Sequence, residues 1–538
     1  MERPQDGEEQ AVRRIVIVGG GSAGWLTAGL LAARHGPLLQ VTLVESPNVP
    51  PIGVGEGTWP TMRDTLRAIG VSETGLFREC EASFKQGSRF DGWVHDPRDG
   101  PPTEPRRDSY HHPFVLPQGH GDAPLVAAWQ ARHAERAFAE LACHQPPLSD
   151  AGRAPKQATT PEYAGVTNYA YHFDAGRFGA FLAEHATQRL GVRHVVADVV
   201  GLISHDNGDI AALQTRQQGE VPGDLFIDCT GLPAKLLAGH YGVGFVSQRH
   251  VLFCDRALAL QVPHATPETP LASVTVATAQ ASGWVWDIGL PSRRGIGMVY
   301  SSAHCTDEHA ADMLLSYIAS QPMLASSAGL AATPRQLAFE PGHRERFWHR
   351  NCVAIGLSAG FLEPLEASAL ALIEYSAGLL AEQLPATRAD MDRVARRFNE
   401  RCTYRWARII DFLKLHYLLS HRTGVFWRDH RRDASVPESL QELMALWRHH
   451  PPSRHDLPRH DEALPSASYQ YVLYGMTGGR GFRPAQESLA NPEGLGAAEA
   501  CFREAAHLAR RMLPALPANR ELIEHIRRHG LPRRVGSD

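Results

Sequence analysis

Arg14-Ile15-Val16-Ile17-Val18 is a short β-branched run bounded by glycines, the pattern of a strand buried on both faces of a parallel sheet. Helix formers follow from Ala23 to Arg34, and Leu39 to Val44 reads as a second strand. Such a strand–helix–strand unit joins neighbours in one parallel sheet through a right-handed crossover. Alternation of apolar and polar positions predicts strands across Val192 to Asp228 and Val251 to Tyr300. Beyond Pro364 the spacing becomes helical through about Leu419, and the tail from Ala497 to His529 is helical too. The stretches Asp96 to Arg107, Gln145 to Ala164 and Pro451 to Ser468 gather Pro, Gly, Asp and Ser without periodicity and read as loops or insertions. No internal repeat is visible. The pattern predicts an α/β fold with a Rossmann-like, sheet-based module over residues 11–384, carrying pocket-forming insertions near 85–165. A mainly helical module over 385–535 covers it, and no single linker separates the two.

Composition narrows the class. The 538 residues could hold several small units or one large enzyme fold at about 150 residues per domain. With 43% hydrophobic and 21% charged residues, the chain is neither disordered nor fibrous. Its net charge of −4 offers no basic field, so no nucleic-acid partner is expected. No apolar run approaches the ~20 residues of a membrane span, and the acidic start from Met1 to Glu9 is unlike a signal peptide. Eight cysteines without a C-x-x-C pair read as reduced thiols, and a cytoplasmic enzyme is the expectation. His449, His450, His455 and His460 lack helical i, i+4 spacing and an accompanying cysteine; they read as a solvated loop, and no metal is expected.

The first strand runs into Gly19-Gly20-Gly21-Ser22-Ala23-Gly24, a G-x-G-x-x-G pattern that opens the helix. Gly19 permits the tight turn, Gly21 lets the backbone approach a pyrophosphate, and Gly24 allows close helix–strand packing. The helix start, at Ser22 and Ala23, offers N–H groups to that anion. Glu45 closes the second strand, where an acid holds ribose hydroxyls and disfavours a 2′-phosphate. Asp228-Cys229-Thr230-Gly231 ends a later strand and resembles the D-x-T-G turn of FAD-dependent oxygenases. Together these features favour FAD over a nicotinamide.

Three further segments carry a family resemblance: the loop Gly53-Val54-Gly55-Glu56-Gly57-Thr58, the strand Trp284-Val285-Trp286 with its tryptophans on one face, and the turn Glu363-Pro364-Leu365-Glu366-Ala367-Ser368-Ala369. With the fingerprint they resemble the flavin-dependent tryptophan halogenase family from about Arg14 to Leu384, extending less securely to Tyr474. Two departures mark a divergent branch. Gly289 and Leu290 precede Pro291 where the family has W-x-W-x-I-P, and Glu366-Ala367-Ser368-Ala369 stands where it usually has E-S-T-G.

On residues alone, Lys85 reads as a surface lysine on a helix, and Glu366 as a carboxylate in the first turn of a helix after Pro364. The resemblance instead makes them the catalytic pair. Lys85 meets hypohalous acid, as a hydrogen-bond donor or as a haloamine, and Glu366 orients the electrophile and receives the arenium proton. The resemblance also places Gly53, Gly55 and Leu357 at the flavin, and the N–H groups of Ser368 and Ala369 at the halide. His112 and Phe114 match the family's ring-sandwiching pair, with a Pro-anchored surface loop as the plain alternative. Trp129 is a weaker substrate candidate, as are Tyr469, Tyr471 and Tyr474. Trp284 and Trp286 either keep substrate from the flavin or pack the core. The clamp for the amino-acid end of free tryptophan is not found, which directs attention to indole or another electron-rich arene.

The implied enzyme uses FADH2, O2 and chloride or bromide, and FADH2 comes from a separate flavin reductase. Bromide turnover at least equal to chloride is expected, because Ser-Ala in place of Thr-Gly alters the halide pocket. Homodimerisation is left open. The rival readings are a single-component FAD-dependent aromatic hydroxylase and a flavin-binding protein without catalysis.

Overall fold

Five of the six strands in one sheet run parallel, and the fingerprint sits at its centre. In the computed structural model, which describes residues 11–49, 55–96, 108–321, 333–482 and 491–533, β1 is Arg14–Val18, α1 is Ser22–His35 and β2 is Gln40–Glu45. The sheet order is Trp348–His349, Cys352–Ala354, Leu225–Asp228, β1, β2 and Arg193–Val196, and only the Trp348–His349 edge is antiparallel. Ile15 to Val18 are buried on both faces, as their unbroken β-branched run requires. This is the Rossmann-like α/β arrangement predicted from the pattern.

Two further sheets carry the chemistry. A three-stranded sheet pairs β3 (Gly55–Gly57) and β4 (Ser83–Lys85) with opposite edges of β7 (Ala170–Asp174). A seven-stranded, mostly antiparallel sheet ends in β5 (Gly87–Asp91) and β6 (Ser109–Pro113), with the tryptophan-pair strand Gly283–Gly289 at its middle. Gln86 alone separates β4 from β5, so Lys85 lies at the junction of the two sheets.

The C-terminal third is helical: Ser368–Glu382, Arg388–Leu418, Ser466–Thr477, Pro492–Ala515 and Asn519–His529 are its main helices. They are not a detached lid. Residues of all five join one buried cluster with the strands of the N-terminal sheets. The stretch Gln145 to Ala164, expected to be loop, opens with the helix Gln145–Asp150. Gln145 explains the order there: its buried amide accepts from the N–H groups of Phe114 and Val115 and donates to the Asn168 carbonyl. Side-chain bonds of that kind leave no hydrophobic period to read. Of the other two expected loops, Asp96 to Arg107 lies almost wholly outside the described residues, as does Gly53.

All eight cysteines are free thiols. Among the described residues no helix is long and apolar enough to cross a membrane.

Candidate active site

The glycines of the fingerprint behave as their positions demand. Gly19 takes φ 119°, outside the range of ordinary L-residues. A Cβ on Gly24 would strike the Gly19 carbonyl, whereas one on Gly21 would meet nothing within 4 Å. Gly21 therefore faces open space at the start of α1, where it is the N-cap and no side chain caps the free N–H groups. The Glu45 carboxylate lies against Gly20 and also accepts from His194 Nε2 at 3.0 Å. Leu357, half-buried, sits in the turn Gly356–Ser358, which packs on Ala23. An open, uncapped helix start beside an acid fits a dinucleotide such as FAD. Asp228 faces inward: its two oxygens accept from Thr230, Ser358 and the N–H groups of Leu236 and Leu237, so it shapes the turn around Thr230 and Gly231.

Lys85 is neither on a helix nor at the surface. It ends β4 and is 1% exposed. The apolar surroundings that hide it also lower its pKa to about 8, with the Glu366 charge working the other way. Its ammonium stands 5.4 Å from the centre of the Phe114 ring, a cation–π distance. A Cβ on Gly57 would lie 3.3 Å from both Lys85 Nζ and Ala367 Cβ, and 3.5 Å from the His172 ring. Those three residues and Gly57 thus border one point. His172 is fully buried, and its pKa is driven well below the usual value by burial and by the Lys85 charge.

Glu366 does not occupy the first turn of a helix as expected. It has φ 62° and Ala367 has φ 55°, two successive left-handed residues before the helix Ser368–Glu382 begins. Each such residue costs on the order of 1–3 kcal/mol and persists only where neighbours enforce it. The bend turns the carboxylate away from the helix start and into a polar niche. Oε1 accepts from His112 Nδ1 at 2.8 Å and stands 3.4 Å from His416 Nε2, while Oε2 accepts from Ser88 at 3.2 Å. Burial alone would raise this carboxyl; the His112 charge and hydrogen bond, helped by His416, hold it well below the usual carboxylate range. It is therefore ionised.

His416 is pushed down by burial, so its ring is neutral. Its Nδ1 is hydrogen-bonded to the Tyr110 hydroxyl at 2.7 Å, and its Nε2 lies on the Glu366 side. His112 Nε2 pairs with Ser468 Oγ at 2.9 Å. Ser88, Tyr110, His416 and Ser468 were not singled out from the sequence. Tyr110 stands two residues before His112, and His416, polar in the apolar last turns of Arg388–Leu418, was the available signal.

The bend also shapes the helix start behind Glu366. Ala367 is its N-cap and offers no side-chain hydrogen bond, and Ser368 is 2% exposed. The backbone N–H groups of Ser368 and Ala369 stand at this buried helix start, the kind of position where an anion is favoured.

His112 is in β6 and Phe114 directly follows its end, with His112 toward Glu366 and Phe114 toward Lys85. His112 is buried in a strand and is not part of a surface loop. Trp129 is placed elsewhere: its indole N–H donates to the Arg136 carbonyl and its ring packs on Phe138 and Tyr474. It is a core side chain behind the site. Tyr474 is buried in that packing, Tyr469 is buried against Phe412 and Trp447, and Tyr471 donates to the Val115 carbonyl. Trp284 and Trp286 are buried in their strand, with Trp284 against Trp93.

Comparison with known proteins follows the same lines. A family model described as tryptophan halogenase matches residues 14–489. Tryptophan 6-halogenase SttH from Streptomyces toxytricini is 33% identical over 534 residues, covering 94% of this chain and 97% of that protein. Among solved structures, a tryptophan halogenase from Shewanella frigidimarina NCIMB 400 superposes with TM-score 0.92 at 47% identity, covering 97% of this chain and 99% of that one. BrvH, a flavin-dependent halogenase from Brevundimonas sp. BAL3, superposes with TM-score 0.81 at 31% identity, covering 96% and 99%.

Proposed function

The chain belongs to the tryptophan halogenase family, and from that premise we propose that it places bromide or chloride on the ring of indole or another electron-rich arene. As a flavin-dependent halogenase it is an oxidoreductase served by a separate flavin reductase. The observation that carries the reading is the meeting of Lys85 and the Glu366–Ala367 turn beside Gly57, with Glu366 ionised between two histidines.

The residues divide the work as follows. Gly19, Gly21, Ser22, Ala23, Gly24, Glu45, Gly55 and Leu357 would hold FAD, and the N–H groups of Ser368 and Ala369 would hold halide. Reduced FAD with O2 supplies the oxidation that converts halide to hypohalous acid. Lys85, protonated at neutral pH, donates a hydrogen bond to the hypohalous oxygen, and Phe114 steadies the ammonium. An aromatic carbon attacks the halogen, forming the carbon–halogen bond as the halogen–oxygen bond breaks. The Lys85 side delivers a proton to the departing oxygen, giving water, and Glu366 takes the proton lost from the ring. His112 and His416 keep Glu366 ionised for that task.

The test is mass spectrometry of products formed with FAD, NADH, a generic flavin reductase, bromide, and a panel including indole and tryptophan. A bromine isotope doublet is expected on an indole-type product, reduced at least 100-fold in Lys85→Ala. An oxygenated product without bromine would replace this reading with aromatic hydroxylation. With equal chloride and bromide, brominated product is expected to match or exceed chlorinated product; mainly chlorinated product would refute the halide preference.

A further inference from the structure

The left-handed turn at Glu366 and Ala367 needs an external tie, and the structure supplies one. The indole N–H of Trp59 donates to the Glu366 carbonyl oxygen at 2.6 Å, and Trp59 is 8% exposed. Within the turn itself, Ala367 N–H donates to the Pro364 carbonyl at 2.9 Å.

Trp59 lies two residues beyond the end of β3. Gly57 lies against Ala367 and Lys85, so a five-residue stretch from Gly57 reaches Lys85, the Glu366–Ala367 peptide and, through Thr61, Glu374. Glu374 is on the helix Ser368–Glu382, whose start is the candidate halide site. This one stretch therefore grips the turn in front of the helix and the helix body behind it.

We propose that Trp59 is a positioning residue whose indole N–H fixes the peptide plane between Glu366 and Ala367. Holding that plane keeps the carboxylate on His112 and keeps the N–H groups of Ser368 and Ala369 convergent on one anion. The proposal rests on the halogenase reading above for its kinetic form, and its anion form stands apart from it. A tryptophan is suited to the task because its donor projects from a large, rigid ring that core packing immobilises.

Trp59→Phe keeps a ring in place and removes the donor. The expected result is a kcat at least tenfold lower and a bromide KM raised at least threefold, with the KM for the aromatic substrate within twofold. Adding Ala367→Gly, which makes the left-handed conformation inexpensive, is expected to restore at least threefold of the lost kcat. The double variant also serves if Trp59→Phe alone fails to fold. Unchanged kcat and bromide KM with only a lower melting temperature would make Trp59 a packing residue and overturn the proposal. A raised aromatic KM alone would overturn it too, making Trp59 a pocket wall.

A bromide titration of melting temperature separates the two readings. If the wild type halogenates nothing in the panel, the functional reading falls. The midpoint of bromide stabilisation still decides Trp59: a shift of threefold or more in Trp59→Phe supports the tie, and no shift overturns it.

Discussion

Lys85 and Glu366 lie in one buried niche, yet their surroundings hold both in the charged form at neutral pH. Burial lowers the lysine to about 8, so below that pH it remains an ammonium able to donate. Glu366 is held ionised by His112 first and His416 second. A donor ammonium and an accepting carboxylate coexist only below pH 8, so single-turnover halogenation should be level from about pH 6 to 7.5. Above 8 it should fall by up to tenfold per pH unit. A rise through pH 8 would instead show that the free amine reacts as a nucleophile. Replacing His112 by Phe should leave burial, which pushes carboxyls up, opposed mainly by His416. An acid limb absent from the wild type should then appear below neutral pH. A variant profile superimposable on that of the wild type would show that His112 does not control Glu366.

At the scale of elements, the helix Ser368–Glu382 is tied to its neighbour Thr61–Ala68 by Glu374, whose carboxylate accepts from Thr65 at 2.7 Å and Thr61 at 3.4 Å. Desolvation raises this carboxyl to about 8. Its folded-state value stands above the unfolded one, so the folded protein binds an extra proton between the two. The stability it contributes is complete below about pH 4.5 and is lost as pH rises through 8. Glu374→Gln should therefore flatten the fall in melting temperature between pH 5 and 8, and stabilise the protein at pH 8 by on the order of a few kcal/mol. Identical pH dependence in the two proteins would refute that assignment. This tie also marks what could be read in advance. The run Arg14 to Val18 and the glycines after it are local signals, because strand burial and positive φ leave residue-level signatures in a row. The niche around Glu366 is not local. His112, His416, Ser88 and Trp59 reach it from separate elements, and only the fold brings them together. Lys85 shows the same gap from the other side: nothing in Phe84-Lys85-Gln86 distinguishes a buried strand end from an exposed helix.

For the whole molecule, the end of the chain supports the beginning of the site. Asn519, fully buried at the start of the last helix, donates to the Ala272 carbonyl at 3.2 Å and to that of Phe84, next to Lys85, at 3.4 Å. Its own N–H donates to Gly152, and Pro517 accepts from Ala154. Leu522, Ile523 and Ile526 from the same helix are essentially unexposed in the main cluster. Burying each contributes about 1.5–3 kcal/mol, so the three approach the 5–15 kcal/mol that holds a typical protein folded. A chain ended after Leu516 should therefore lose cooperative thermal unfolding, or melt at least 10 °C lower, and should lose halogenation with it. Circular dichroism melting beside the bromide product assay measures both. A truncated chain that melts with the full-length protein but no longer halogenates would limit the helix to steadying the Lys85 strand. Full activity at an unchanged melting temperature would remove it from both roles. The helical C-terminal third carries Ser468, His416 and Asn519 to three sides of the site. Removal of the whole third would therefore be felt at both Lys85 and Glu366, whereas a cut after Leu516 takes only the Asn519 support beside Lys85.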